Sequence, residues 1–304
     1  MKYDVDTIVN EILRSKKYSG IDQVVIERIC SEHAPRYSRQ KDAVKAVKKE
    51  LHIIHGSFLS KDCHALAWQM LRKYQGADVY TDMEFAAQLM GLHTSTAERA
   101  GRLTDIYAMV GGYIDPGDTV IDIGCGFNPF SLPFLRNRPK AYHAYDISDE
   151  SVNLINAYFK PLGPAYRAEL FDAVTQTPRN SAVSSPAPRP AADSPERNSA
   201  ASSPAPCPTA DSPVSRSPEI NCILLMFKLF PLLEQQKKGR AFELLLAAPY
   251  RTAIVSFPTK SASGRERGME AFYTDMFTRG LPDGLVIREK KAFDNEIFFI
   301  VARL

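Results

Sequence analysis

From Gly117 onward the chain alternates short apolar runs with amphipathic stretches, and that alternation leaves few folds open. Strand-like runs fall at residues 119–123, 141–146, 165–171, 221–227, 251–257, 285–291 and 296–301. Helical runs such as 149–159 and 232–247 lie between most of them. Strands separated by helices pair in parallel, because each crossover carries the chain back to the same end of the sheet. Only residues 292–295 separate the last two runs, which is room for a hairpin and not for a crossover helix. The expected fold class is therefore α/β: a doubly wound, Rossmann-like sheet with a closing antiparallel strand. Residues 1–108 read as helices, so an all-helical N-terminal domain is expected ahead of an α/β domain at 109–304.

The run Asp118-Thr-Val-Ile-Asp-Ile-Gly-Cys-Gly-Phe-Asn-Pro-Phe130 carries the first chemical information. A buried strand ends in Gly124-Cys125-Gly126, a turn whose backbone can come close to a nucleotide-like ligand because neither glycine bears a Cβ. A dinucleotide site wants a third small residue at the position of Pro129, so a pyrophosphate is disfavoured. Asp146 ends the next apolar run, 22 positions beyond Gly124, where a carboxylate can take ribose hydroxyls. A glycine turn with an acidic second strand, lacking the third glycine, is the pattern of S-adenosylmethionine-dependent methyltransferases, and a final antiparallel strand is their variant of the doubly wound sheet. Two alternatives stay open here: an ordinary strand–turn, or an NAD-dependent oxidoreductase.

Ligands of open parallel sheets bind at the carboxyl ends of the strands. Asp172 ends the third strand, where it can accept from an adenine amino group, with Ala173 beside it. The fourth ends Met226-Phe227-Lys228, an apolar floor followed by a cation, and makes Lys228 and Phe227 candidate positioning residues. Ile147 follows the ribose acid. Each of these also has a plain structural role open to it, as a strand-end cap or an exposed end. Just ahead of the sheet, Thr94, Ser95 or Thr96 can cap a helix, while Arg99 offers a guanidinium fork for a carboxylate. No Ser/His/Asp set or carboxylate pair is evident.

Bulk properties exclude several classes. A net charge of +3 does not announce a nucleic-acid binder, so any basic surface must be local. The five cysteines lack Cys-x-x-Cys spacing, so free thiols in a reducing compartment and no metal are expected. The N-terminus leads into a charged helix and no run of about eighteen apolar residues occurs, so neither signal peptide nor membrane span is expected. The chain reads as cytoplasmic and, by default, monomeric.

Val44, Val47, Leu51, Ile54 and Phe58 repeat at three or four, predicting an amphipathic helix over residues 39–59. Its other face is basic: six Lys/Arg against two acids lie between Arg36 and Glu50, a local net of +4. Arg39, Lys45, Lys48 and Lys49, with Arg14, Lys16 and Lys17, can form a patch that follows a phosphate backbone, or a solvated helix face. Residues 175–218 differ from everything else. They hold ten of the 21 prolines and no Phe, Tyr, Trp, Leu, Ile or Met, and residues 179–196 recur at 197–214 with four substitutions. Such a composition cannot bury enough to offset ordering, so a disordered, extruded insert is expected.

Four blocks together resemble one family. They are His93-Thr-Ser-Thr-Ala-Glu-Arg99, Gly124-Cys-Gly-Phe-Asn-Pro-Phe130, Leu224-Leu-Met-Phe-Lys-Leu229 and Ser256-Phe-Pro-Thr-Lys-Ser-Ala-Ser-Gly-Arg-Glu-Arg-Gly-Met-Glu270. They resemble the aminoglycoside-resistance 16S rRNA methyltransferases that modify N7 of guanine 1405, nearly end to end apart from the insert. The resemblance implies S-adenosyl-L-methionine as cofactor, a helical domain that docks on the assembled 30S subunit, and resistance to 4,6-disubstituted deoxystreptamine drugs. By motif it implies that Thr96 and Arg99 hold the methionine end, Gly124 and Asn128 line the turn, Asp146 binds ribose and Asp172 faces adenine. An N7 acceptor needs no general base; turning the base out of its stack leaves Phe130, Phe227 or Phe257 as candidates to stack on it. Lys228, Lys260, Arg265 and Arg267 are the candidate phosphate contacts. Adenine-N1 methyltransferases of the decoding site and a non-catalytic rRNA-binding factor are the competing readings.

Overall fold

The computed structural model describes residues 3–18, 20–60, 62–76, 78–178, 221–259 and 268–304. Most of the insert, residues 179–218, therefore lies outside the described residues, as do Lys260, Arg265 and Arg267.

The chain begins with helices α1 (Val5–Leu13), α2 (Gln23–His33) and α3 (Gln40–Leu51). Asp4 and Asp22 cap the first two by accepting backbone N–H groups of their first turns. Ile8, Ile12, Val25, Ile29, Val47 and Leu51 close a core of their own. The apolar stripe of α3 carries on past Leu51, but the helix widens into a π turn over His52–Gly56 instead of running to residue 59. Next come α4 (Cys63–Lys73), α5 (Met83–Met90), the short α6 (Thr94–Ala97) and α7 (Leu103–Gly111). Ala67, Leu89, Ile106 and Tyr107 from these helices share a core with Val120, Phe127 and Tyr142 of the sheet region.

The sheet is built from β1 (Thr119–Ile123), β2 (Ala141–Asp146), helix α8 (Asp149–Phe159), β3 (Tyr166–Leu170) and β4 (Cys222–Phe227). Helices α9 (Phe230–Gln236) and α10 (Arg240–Ala247) lead to β5 (Thr252–Pro258) and α11 (Met269–Gly280), and the chain closes with β6 (Leu285–Phe293) and β7 (Glu296–Arg303). The seven strands lie in the order β3-β2-β1-β4-β5-β7-β6. Strands β1 to β5 pair in parallel, and β7 runs antiparallel to both β5 and β6. The order reverses at β1, where β2 leaves one side and β4 the other, so the crevice above these strand ends is the topological switch point.

Every residue of β4 is buried, as a central parallel strand requires, whereas β3 at one edge exposes its last two positions. The helix expected over residues 232–247 is two, broken at Gly239, whose φ of +83° starts α10 from a left-handed position. The apolar spacing is kept across the break, which is why periodicity alone reads through it.

Candidate active site

Strand β1 delivers the chain into the Gly124–Gly126 turn, where both glycines take positive φ (64° and 48°). A Cβ on Gly124 would stand 2.9 Å from Leu229 Cδ1, and one on Gly126 2.9 Å from His93 Cε1. Both conformation and space therefore require glycine. Asp146, at the end of the neighbouring β2, ties the turn down: its Oδ2 accepts the Gly126 N–H at 2.8 Å and its Oδ1 the Ser148 N–H at 2.9 Å. Burial pushes this carboxyl up, and the backbone donors Gly126, Ser148 and Ile147 work against the rise. With these three backbone donors set against about four acceptor positions, one position remains for a hydroxyl group.

Beneath the turn lies a buried polar network in which Asp122 Oδ1 has no partner among the described residues. Asn128 donates to Asp122 Oδ2 at 2.8 Å and accepts from Tyr107 at 2.5 Å, while Tyr142 donates to the same Asp122 oxygen at 2.7 Å. Burial raises the Asp122 carboxyl to about 6 against the pull of Asn128 and Tyr142. Arg99 stands beside this network with its fork already filled. Its Nε and Nη2 each donate to Glu296 at 2.8 Å, and Nη1 donates to Tyr107 and Asn128 at 2.9 and 3.3 Å. Burial alone would lower the guanidinium's affinity for its proton, and Glu296 more than reverses this.

Two residues expected at a ligand's methionine end already have partners within the protein. The Arg99 guanidinium, expected to meet a ligand carboxylate, pairs with Glu296. Thr96, expected at the same end, spends its hydroxyl on the Met90 and His93 carbonyls at 2.5 and 3.1 Å. Cys125, Asn128 and Met226 likewise sit behind the crevice wall, each nearly fully buried. Burial lifts the Cys125 thiol well above its usual range, so it remains an unreactive packing group.

The crevice itself offers about 820 Å³, its open mouth included. Gly124, Gly126, Asp146, Ile147, Asp172, Ala173, Phe227 and Lys228 line it, as expected from their strand ends. Of the three candidate stacking rings only Phe227 faces it. Phe130 packs edge-on against Phe127 and Tyr158, and Phe257 is enclosed by Phe230, Tyr273 and Phe277. The Arg99 guanidinium lies 4.9 Å from the Phe227 ring centre and backs that face. Lys228 adopts a left-handed φ of 55°, unusual for a residue with a side chain. Its Nζ reaches Glu98 at 2.5 Å and Glu296 at 3.5 Å, so the cation is held by carboxylates beside the crevice.

Sequence reasoning missed the opposite wall. Val25, Arg28, Ile54, His55 and Phe58 come from the N-terminal helices, and His93 and Ser95 from the start of α6. His93 stacks between Phe58 and Phe127, and its buried Nδ1 has no partner among the described residues. An orphaned nitrogen beside a glycine cradle, a ribose-height carboxylate and an apolar slot fits a nucleoside-bearing ligand with a polar tail. An S-adenosylmethionine-like molecule meets that description.

The buried rings make a pH prediction. His55 and His143 are pushed down to about 4 and His93 to about 3, each chiefly by burial, from the ordinary 6.5. The unfolded chain then takes up protons that the folded one refuses, so stability falls as pH drops from 6.5 toward 4. Asp122, raised from 3.8 to about 6, and Asp146, also raised by burial, work in the opposite direction, while His64, lowered by burial, adds to the effect of the three rings. The melting midpoint is expected to fall by several degrees between about pH 7.5 and about pH 5, and an unchanged midpoint overturns the neutral-ring assignment.

On the N-terminal helices, Arg14, Lys17, Arg39, Lys45 and Lys49 are exposed, as is Lys16. Tyr18 donates to the Lys48 carbonyl at 3.0 Å, and Lys17 Nζ lies 3.4 Å from His52 Nδ1. The segment after α1 therefore abuts the end of α3.

The family profile of ribosomal RNA methyltransferases (FmrO) matches residues 14–185 and 211–284. The chain belongs to this family. Among curated relatives, the 16S rRNA (guanine(1405)-N(7))-methyltransferase of Proteus mirabilis is 26% identical over 313 residues, covering 99% of this chain and 98% of the relative. The enzyme of the same description from Serratia marcescens is 26% identical over 300 residues, covering 99% of each. Among solved structures, the 16S rRNA methyltransferase RmtF in complex with S-adenosyl-L-homocysteine superimposes with a TM-score of 0.78 at 27% identity over the whole of both chains. Membership makes this chain a methyltransferase acting on ribosomal RNA. No helix among the described residues is long and apolar enough to cross a membrane.

Proposed function

We infer that this enzyme transfers a methyl group from S-adenosylmethionine to N7 of guanine 1405 of 16S rRNA, within the assembled 30S subunit. The observation that carries the reading is end-to-end likeness to relatives of that description, coupled to a crevice whose glycine turn and Asp146 suit the donor. The bound donor supplies an electrophilic methyl on sulfur. Guanine N7 presents a lone pair without a proton, so no residue has to act as a base. The protein's part is to hold, orient and dry the reacting groups. Asp146 takes the ribose, Asp172 the adenine edge, and Phe227, backed by Arg99, offers a face toward the target base. Lys228, held by Glu98 and Glu296, fixes the strand end beside it.

The exposed basic residues of α3 and of the segment after α1 suit the phosphates of rRNA, and residues 1–108 are the docking part in this reading. Lys260, Arg265 and Arg267 complete the proposed contacts. In this reading the protein acts in the cytoplasm as a monomer and confers resistance to aminoglycosides.

The test is to incubate purified protein with 30S subunits and methyl-labelled S-adenosylmethionine, then locate the mark by mass spectrometry of 16S rRNA. One 7-methylguanine at position 1405 is expected. A methyl on a decoding-site adenine, or binding to 30S without transfer, overturns the assignment.

A further inference from the structure

The cofactor reading above leaves Arg28 without a role, although it comes from the N-terminal helices and reaches across the crevice. Its side chain is only 12% exposed and lines the crevice opposite the strand ends. Nε donates to Asp172 Oδ2 at 2.6 Å and Nη2 to Asp172 Oδ1 at 3.3 Å. Nη2 also donates to Gln236 Oε1 at 3.0 Å, while Nη1 reaches both Glu32 oxygens at 3.3 Å. The backbone fixes this arm from behind: the Asp22 N–H donates to the Ile147 carbonyl and the Asp149 N–H to the Gly20 carbonyl, both at 2.8 Å. Helix α2 is thereby stitched to the same loop that carries Asp146.

The acceptor count at Asp172 is informative. An ionised carboxylate offers about four acceptor positions. Oδ1 takes the Val174 N–H at 3.0 Å and Arg28 Nη2; Oδ2 takes Arg28 Nε. One position on Oδ2 stays open, inside a slot walled by Val25, Phe171, Val174, Leu232 and Leu233. A flat apolar slot with a single charged acceptor at its edge suits a purine that carries an amino group there.

We propose that Arg28 is a positioning residue for the cofactor's adenine. It holds the Asp172 carboxylate turned so that its free acceptor receives the 6-amino group, and it does so from the helical part of the chain. This rests on the S-adenosylmethionine reading. A guanidinium fork fixes the plane of a carboxylate, which an ammonium does less well. A 6-oxo purine would set acceptor against acceptor and be rejected for as long as that arrangement holds.

The experiment compares S-adenosylhomocysteine with S-inosylhomocysteine, its 6-oxo analogue, by titration calorimetry on the full chain. The wild type is expected to prefer the amino form strongly. Arg28→Met is expected to lose about tenfold or more in affinity for S-adenosylhomocysteine and much less for the analogue, so the preference shrinks by about the same factor. Arg28→Lys is expected to fall between the two, and it carries the test should the methionine variant fail to fold. An unchanged preference in the variants reduces Arg28 to a structural tie, and a tighter S-adenosylhomocysteine complex makes it an obstruction; either result overturns the proposal. A wild type that binds neither compound overturns the cofactor reading itself, which keeps the two failures apart.

Discussion

Glu296→Ala is expected to cost the fold about 3–5 kcal/mol, the usual penalty for leaving a buried cation unpaired. Glu296 and Arg99 are each 2% exposed and share two 2.8 Å hydrogen bonds, and Ser256 also donates to the carboxylate. Burial alone would raise the Glu296 carboxyl, but Arg99 and then Lys228 hold it below the usual range. The alanine variant strands the Arg99 guanidinium in a buried site and frees Lys228 from one of its two carboxylates. Denaturant unfolding measures the effect. A loss under about 1 kcal/mol would mean that water or a rearranged neighbour replaces the carboxylate. The joint change Arg99→Met with Glu296→Met should recover most of the stability, because a packed apolar pair carries no desolvation cost.

Asp146→Ala is expected to weaken S-adenosylhomocysteine binding by about 100-fold or more, equivalent to about 2.7 kcal/mol. Two effects add. The carboxylate that suits the ribose is removed, and the Gly126 N–H loses the acceptor that shapes the turn. Calorimetric titration gives the answer, with stability followed in parallel. An affinity within threefold of the wild type would remove Asp146 from the site. The contrast with Glu296 is useful: one variant should lose its fold before its ligand, the other its ligand before its fold.

Much of this architecture is legible in the sequence because it is written locally. Residues 119–123, 141–146 and 149–159 read as they stand in β1, β2 and α8, since their apolar spacing, Gly124 and the Ser148 cap are all nearby in the chain. Lining positions at strand ends follow in turn, because a parallel sheet brings Gly124, Asp146, Asp172 and Phe227 to one edge. Partnerships over long separations are not written that way. Arg28 meets Asp172 across 144 positions and Arg99 meets Glu296 across 197, and no periodicity announces either. Arg99 shows this most clearly: a fork suited to carboxylates is visible in the sequence, while the Glu296 carboxylate it pairs with is not. The same limit hid the helical wall of the crevice, since the stripe that buries Val25 and Ile29 says nothing of where Arg28 points.

The ladder-like link of Ile21 to Ser148 gives the enzyme a practical vulnerability. Trimming the chain before Gln40 would leave the strands and their buried layers untouched yet peel one side off the ligand's berth. Such a fragment would lose its grip on the nucleoside, and the Val44, Val47 and Leu51 face of α3 would lose its cover. Small molecules that wedge between Val25 and Leu232 should mimic that amputation, disarming the protein without having to compete at its most polar end.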